Sequence, residues 1–403
     1  MVKKNVALVK EICYNNMKQN LMFRKVSMNQ KELNEIRRRL ALDKNCISKV
    51  YGCFVNQTKE IIAYIDEPVA TMPQSEGERY MALFKKALSG SLGKNLIDIE
   101  FSTQQVMEGE EHQLLMELRK DIGNSELREK LYKKMIPAIN LDCNYIILLG
   151  ADHYDVPFKG TDELSIEDAS ESVFNYFVCS VCPVNESKTE LGYVIDESAF
   201  HNCTFPQTVA APEMGFLFPC FDDRATNIYN ALFYTKDTDM MQEEFISSVF
   251  KTEIPMSAGE QKTTFQEVLT ETLEEDCSFD IIQAVHEQIC ERIVEHKESK
   301  DPAPLDLSSR EVGDILENSG VAKEKVEVFK EKCKKQFGED KPLKPTNIID
   351  SKKFEVVTPQ VKISVAPEYS YLVETKVIDG RKYILIPADE SVEVNGVSVK
   401  VTE

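Results

Sequence analysis

The segment Gly215–Thr235 decides the fold, and it reads GFLFPCFDDRATNIYNALFYT. Two apolar and aromatic runs, Gly215–Phe221 and Asn227–Tyr234, have the length and residue types of buried strands. Three charged residues, Asp222–Arg224, stand between them. The sequence therefore predicts two buried strands joined by a charged turn, around which the rest of the chain is organised.

Length and composition bound the class of protein. The chain has 403 residues, which predicts two or three domains, and its 42% hydrophobic and 29% charged residues are typical of a globular protein. No apolar run approaches the ~18–20 residues that a membrane span needs, and no secretory signal follows the N-terminal lysines. The eleven cysteines are scattered through the chain. We therefore expect reduced thiols and a cytoplasmic protein without a membrane partner.

The charge is distributed unevenly. The formal net charge is −20, yet residues 1–50 contain twelve Lys or Arg against four Asp or Glu, or +8, which leaves −28 for the remainder. Nucleic-acid-binding proteins concentrate positive charge on one face, so this acidic body disfavours nucleic acid as a partner. The basic segment either folds back onto the acidic body or binds an acidic partner.

The chain divides into segments by its patterns. The fold class predicted for the core is α+β or α/β with a mixed sheet, because strands and helices alternate irregularly there. Two hairpin signals near the C-terminus, Asp379-Gly380 and Asn395-Gly396, predict a β module. The predicted segments are an N-terminal extension over 1–27, the core domain over 28–238, a helical segment packed on the core over 239–300, and a helical pair with a small all-β module over 305–403.

The first candidate site combines charged residues from two segments. A buried strand is predicted at Tyr145–Gly150, and polar residues that follow such a strand in an open α/β sheet often carry chemistry. The candidate catalytic residues are Asp152, His153, Asp155, Asp222, Asp223 and Arg224. The four aspartates could bind a divalent metal, and Arg224 could hold an anionic substrate. The alternative is structural: Asp222 and Asp223 cap a turn while Arg224 pairs with one of them.

The second candidate site is a zinc set. Cys179, Cys182, His201 and Cys203 are the types of ligand that tetrahedral zinc takes. However, Cys179 and Cys182 lie in a predicted continuous strand, in which residues i and i+3 point to opposite faces. The alternative interpretation is that these cysteines are buried structural thiols.

Several segments resemble those of a family known only as domain of unknown function 4317. The resemblance rests on NQKELNEIRRRL, ISKVYGCFVN, ALSGSLGKNLIDIEFSTQQVM, VCSVCPV, FDDRATNIYNALFYT, AVHEQICERIVEHKESKDP and VETKVIDGRKYILIPADESVEVNGV. It covers nearly everything from Met28 to the end. It implies that sequences of this kind begin at a methionine equivalent to Met28, and it implies no activity, cofactor or partner.

Three functional hypotheses remain open from the sequence. The leading one is a non-enzymatic interaction or regulatory protein with a protein partner, because none of the common catalytic motifs occurs. The second is a metal-dependent hydrolase, perhaps of phosphoesters, that uses Asp152, Asp155, Asp222 and Asp223 as ligands. The third is an RNA-binding or ribosome-associated factor that uses Lys31 and Arg37–Arg39, which are expected on the solvent side of a helix. The cofactor and the oligomeric state stay open.

Overall fold

The computed structural model describes residues 28–400 except 160–164, 187, 205, 240, 302, 340 and 389–391, and only the backbone of 158, 159 and 165–172. The predicted extension over residues 1–27 lies outside the described residues. The chain divides into two compact units, with the boundary between Pro255 and Met256. That boundary falls inside the segment 239–300 that the sequence patterns set apart as one helical segment.

The first unit contains both helices and strands. Its helices are α1 (Gln30–Arg39), α2 (Gln74–Lys86), α3 (Thr103–Glu108), α4 (Glu110–Lys120), α5 (Ser125–Ala138) and α6 (Glu243–Val249). Its strands are β1 (Lys49–Val55), β2 (Ile61–Pro68), β3 (Leu96–Glu100), β4 (Tyr145–Lys159), β5 (Ser165–Asn185), β6 (Thr189–Val194), β7 (Ala199–Thr204), β8 (Thr208–Val209), β9 (Met214–Phe218), β10 (Cys220–Asp222), β11 (Ala225–Asn227) and β12 (Asn230–Thr235). The mixture confirms a fold with both element types.

The main sheet has eight strands in the order β2-β1-β4-β5-β9-β12-β3, with β8 paired to β5. Every pairing along that order is antiparallel. Of the two predicted classes, the structure therefore has α+β. The difference from an α/β sheet matters for function, because an antiparallel sheet has no common edge at which all strands end.

Helices cover both faces of this sheet. Ile147 and Leu149 of β4 belong to one apolar cluster, which α4, α5 and α6 complete. Ile146 and Leu148 belong to the other cluster, which α1 and α2 complete. Because both faces are buried, the strand needs apolar residues at every position and not only at alternate ones. This explains the uninterrupted run at Tyr145–Leu149.

The segment Gly215–Thr235 contributes two interior strands of the sheet. Its two predicted strands are confirmed as β9 and β12, which are neighbours in the sheet. Between them, β10 and β11 form a small separate hairpin. At its turn, Asp223 and Arg224 have φ angles of 48° and 57°. Two successive positive φ values are typical of a type I′ turn, so the charged residues close a hairpin.

The second unit has a helical core followed by hairpins. Its helices are α7 (Ala258–Leu273), α8 (Phe279–Ser299), α9 (Ser309–Asn318), α10 (Lys323–Phe337) and α11 (Pro345–Ile348). Its strands are β13 (Phe354–Val357), β14 (Lys362–Val365), β15 (Glu374–Ile378), β16 (Arg381–Leu385), β17 (Val392–Val394) and β18 (Val397–Val399). One apolar cluster joins the helices. The six strands form three separate two-stranded sheets.

The boundary between the two units divides the predicted helical segment 239–300. Phe245, Ile246 and Val249 of α6 pack into a core cluster of the first unit. Helices α7 and α8 contribute to the core of the second unit. In the described part of the chain, no helix has the combination of length and apolar character that crossing a membrane requires.

Candidate functional site

Asp152 lies within a strand and not beyond its end. The sequence predicts that the buried strand ends at Gly150, but β4 continues to Lys159 because β5 pairs with it along that whole length. The alternation of a strand then separates the predicted site residues. Asp152 is buried, whereas His153 and Asp155 are exposed on the opposite face. The expectation that these residues follow the end of the strand is therefore wrong.

The Asp152 carboxylate is fully occupied by internal hydrogen bonds. Arg39 donates to both oxygens, from Nε at 2.9 Å and from Nη2 at 3.0 Å. The Tyr176 hydroxyl donates at 2.8 Å and the backbone N–H of Cys46 donates at 2.7 Å. A buried carboxylate is costly unless it is paired and hydrogen-bonded, and this one has four donors. Asp152 thus joins α1 to the two longest strands of the sheet.

Arg224 pairs with helix α1. Its Nη1 donates to both oxygens of Glu35, at 3.1 and 2.8 Å, and its Nη2 donates to the carbonyl of Pro157 at 2.8 Å. Its backbone N–H donates to Glu32 at 3.1 Å. The sequence interpretation placed Arg224 in a structural pair with an aspartate beside it, and the structure adds Glu35 as a partner. Glu35 was missed because nothing in the local sequence links residues so far apart.

One side of α1 therefore carries a row of charged residues with partners inside the protein: Glu32, Glu35 and Arg39, which we call the α1 ion row. Tyr154 connects Glu35 and Arg39, since its hydroxyl donates to Glu35 at 2.5 Å and the Arg39 guanidinium lies 4.4 Å from its ring centroid. Burial raises the pKa of Glu32, although hydrogen bonds from Asn29 and Arg224 oppose the rise. The row positions the helix on the sheet.

The predicted aspartate metal set is not assembled. Asp152 is committed to Arg39, and Asp155 lies on the other face of β4, 3.7 Å from His153 Nε2. Asp222 and Asp223 belong to the β10–β11 hairpin. Among the residues that the structure describes, no three His, Cys, Asp or Glu side chains converge as a metal site.

The predicted zinc set is also separated. Cys179 contributes to one apolar cluster of the sheet and Cys182 to the other, so their thiols lie on opposite faces. Burial raises the pKa of Cys182 to about 11, which opposes formation of the thiolate that zinc binds. His201 is exposed on β7 and pairs with Glu197 at 3.0 Å, and Cys203 is half-buried on the same strand. The alternative interpretation, buried structural thiols, fits Cys179 and Cys182.

The arginine triplet Arg37–Arg39 is not a solvated cluster, which corrects the sequence expectation. Arg37 donates to the carbonyl of Leu88 at 2.6 Å and to that of Gly90 at 2.7 Å. Arg39 is bound to Asp152. Both Arg37 and Arg39 have internal partners because α1 packs between the sheet and the end of α2. Arg38 is the member left without an ion pair among the described side chains.

Two adjacent surface pockets lie over the Arg39–Asp152 pair. The first has a volume of about 470 Å³ and is lined by Cys46, Arg119, Lys120, Ala151, Asp152, His153 and Asn175. The second has a volume of about 390 Å³ and is lined by Glu35, Arg38, Arg39, Lys44 and Tyr154. The sequence patterns pointed to Asp152 and His153 but not to Arg119 and Lys120. The only signal for Arg119 and Lys120 in the sequence is that they form an adjacent basic pair.

A second feature of functional interest is the β17–β18 hairpin. Val392 pairs with Val399, and Val394 pairs with Val397. Directly opposite residues in an antiparallel pair share a face, so the four valines form one surface, which we call the valine face. Val394 is 53% exposed and Val397 is 64% exposed.

These observations define an α+β protein with an internally paired charge network, two surface pockets and an exposed apolar hairpin. The chain belongs to the family described as a domain of unknown function, DUF4317, whose model matches residues 28–397. This match confirms the resemblance that the sequence segments indicate. No curated protein matches the chain.

Proposed function

We propose that this protein is a non-enzymatic interaction or regulatory protein of the cytoplasm that works by binding a partner protein. The valine face carries the proposal. A contiguous apolar surface that stays exposed typically marks an interaction site. The binding partner we propose is an apolar surface of another protein, because the four aliphatic side chains of this face offer it no charge and no hydrogen bond.

The stability of small hairpins supports a partner at this face. An isolated two-stranded hairpin is at best marginally stable in water, and it gains stability when its apolar face packs against another surface. The second unit contains three such two-stranded sheets. Tyr371, Val377 and Ile386, in or beside the other hairpins, are also more than half exposed. A partner that covers these side chains would supply the missing packing.

The first unit offers a similar surface. The β6–β7 hairpin exposes Leu191, Tyr193 and Phe200, and the rings of Tyr193 and Phe200 contact each other at a centroid distance of 5.2 Å. Aromatic residues of this kind are enriched in protein interfaces. Each unit thus has an exposed apolar hairpin that a partner could cover.

The placement of the charged residues weighs against the two alternative hypotheses. For a metal-dependent hydrolase, Asp152 would have to leave Arg39 before it could bind a metal, which would leave a guanidinium without its partner in a largely buried position. For RNA binding, Arg37 and Arg39 would have to give up the internal bonds that hold α1. Neither hypothesis gains support from the site geometry.

Site-specific photo-crosslinking tests the proposal. A photoreactive residue at position 397, in the full chain expressed in its source organism, should give a discrete adduct with another protein. The matched control is position 328, where a valine on α10 is 44% exposed. The adduct should be absent at position 328 and should be lost when Val394→Lys places a charge in the face.

Two results would contradict the proposal. The first is the same adduct pattern from positions 397 and 328, which would indicate random collision. The second is an adduct at position 397 that Val394→Lys leaves unchanged, since a charge in the middle of an apolar contact must weaken it. Identification of the crosslinked protein by mass spectrometry would then distinguish a foreign partner from a second copy of this chain.

A further inference from the structure

The two pockets beside the α1 ion row are basic although the chain is acidic. The formal net charge of the chain is −20. Five cationic side chains line the two pockets, against two carboxylates, so their lining has a formal charge of +3. The cations are Arg38, Arg39, Lys44, Arg119 and Lys120, and the carboxylates are Glu35 and Asp152. Such a local reversal of charge favours an anionic ligand.

The two carboxylates do not neutralise the remaining cations. Asp152 is paired with Arg39, and Glu35 is paired with Arg224 from outside the pockets. Arg119 and Lys120 in the first pocket have no carboxylate partner within the described part of the chain. The exposed Asp155 lies near this pocket and faces His153, at 3.7 Å from its Nε2. The positive charge in the first pocket is therefore available to a ligand.

Arg119 is held in a fixed orientation. Its Nε donates to the backbone carbonyl of Asn175 at 2.8 Å, whereas its two Nη groups make no hydrogen bond to the residues that the structure describes. Burial lowers the pKa of Arg119, because the charged form loses water around it. An anion in the pocket would restore the lost stabilisation. The free edge of the guanidinium matches two oxygens of an oxyanion.

His153 is oriented by the same residue. The side-chain oxygen of Asn175 can only accept, so the His153 Nδ1 donates to it at 2.5 Å. Asn175 thus fixes both Arg119, through its backbone, and His153, through its side chain. Two elements, α4 and the β4–β5 pair, bring these groups to one pocket.

We propose that the first pocket binds the phosphate group of a small phosphorylated molecule, with Arg119 and Lys120 contacting the phosphate oxygens. A phosphate group carries nearly two negative charges, which two cations match, whereas a carboxylate carries one. The volume of about 470 Å³ lies in the range of roughly 300–1,000 Å³ found for small-molecule sites. This ligand site is independent of the partner surface proposed above, since it uses none of the same residues.

Isothermal titration calorimetry on the full chain tests this inference with inorganic phosphate and pyrophosphate as probes. Sodium chloride at the same ionic strength is the reference, because it screens charge without presenting an oxyanion. We expect saturable binding of at least one probe to the wild type. Arg119→Ala should weaken that binding at least tenfold, and Lys120→Ala should weaken it less.

Two further variants keep the test decisive if Arg119→Ala disturbs the packing around Asn175. Arg119→Lys keeps the positive charge but loses the two-pronged contact, so it should bind more weakly than wild type and more tightly than Arg119→Ala. Arg381→Ala removes an exposed arginine of the second unit and should bind as wild type does.

Absence of saturable binding by both probes would overturn the inference. Unchanged affinity in both Arg119→Ala and Lys120→Ala would also overturn it, because the binding would then occur elsewhere.

Discussion

The central strands of the first unit and the terminal hairpins of the second are built from similar residues but have opposite environments. Val178 and Val181 on β5 are fully buried. Val394 and Val397 on the β17–β18 hairpin are largely exposed. Both regions have strand backbones and aliphatic side chains. The comparison shows that residue type alone does not decide whether a strand belongs to a core or to a surface.

The difference comes from what covers each strand. On β5, helices pack against both faces of an eight-stranded sheet, so the run Tyr176–Cys182 is removed from water. The β17–β18 hairpin has two short strands, and their valines lie on one face that remains open. Burial of an aliphatic side chain stabilises the folded state by about 1.5–3 kcal/mol, and the strands of the first region gain this stabilisation from neighbours within the chain. In our proposal, the second region gains this stabilisation when a partner binds.

The largest expected change in stability comes from removing a buried charge from the first unit. Asp152→Ala should lower the free energy of unfolding of the first unit by about 3–5 kcal/mol, because it leaves the Arg39 guanidinium without its partner. Asp155→Ala, three residues further along the same strand, should change it by less than about 0.5 kcal/mol, because the side chain is exposed. Native-state hydrogen exchange across β4 measures both changes in the full chain.

A double variant sharpens that measurement. If the pair is the cause, Arg39→Ala combined with Asp152→Ala should cost less than the sum of the two separate changes. Equal destabilisation by Asp152→Ala and Asp155→Ala would contradict the assignment of Asp152 to the interior.

The next effect tests the comparison of the two regions directly. Val178→Ala should destabilise the first unit by roughly 2 kcal/mol, because two methyl groups leave a packed core. The same substitution at Val397 should change the stability of the second unit by less than about 0.5 kcal/mol. Hydrogen exchange resolves the two units in one sample. A large loss at Val397 would show that the valine face is already packed in the free protein.

The smallest effect is a pH dependence with a defined sign. Burial raises the pKa of Glu32 above its ordinary value of 4.5. Between 4.5 and that raised pKa, the native state binds a proton that the unfolded chain does not. The stability advantage of wild type over Glu32→Gln should therefore be fully present below pH 4.5 and decline as the pH rises. Urea denaturation of both proteins across this range measures the difference.

Glu60 provides a control for which the expected pH dependence of stability has the opposite sign. Hydrogen bonds from Asn56 and Thr58 lower the pKa of this exposed carboxyl group. The stability advantage of wild type over Glu60→Gln should be present above pH 4.5 and should decline as the pH falls through the lowered pKa of Glu60. The same pH trend for both substitutions would show that the pH dependence comes from the overall charge and not from these two sites.

Local patterns predicted several elements of the fold. The neighbouring strands β9 and β12, the strand that begins at Tyr145, and the hairpins that turn at Asp379-Gly380 and Asn395-Gly396 occur where hydrophobic runs and turn residues placed them. These predictions succeed because hydrophobic runs and turn signals act between residues close in sequence. The length of β4 was not predictable, because its last residues pair with β5 across the sheet. Strand pairing at that distance leaves no local signal.

The candidate site was predicted only in part, for the same reason. The sequence singled out Asp152, His153 and Arg224 as unusual charges beside buried strands. It could not show that the partners of Asp152 and Arg224 are Arg39 and Glu35, both on α1. It also could not bring Arg119 to the side of His153, since α4 and β4 meet only when the helix packs on the sheet.

The sequence by itself determined the mixture of helices and strands, the family, and the positions of several strands and hairpin turns, because each of these follows from local patterns. The tertiary structure alone decided which charges are paired inside the protein and which cations face a pocket. It also decided which valines are covered. Burial and ion pairing depend on residues that are distant in sequence but adjacent in space, and only the packing of helices on the sheet creates those neighbours.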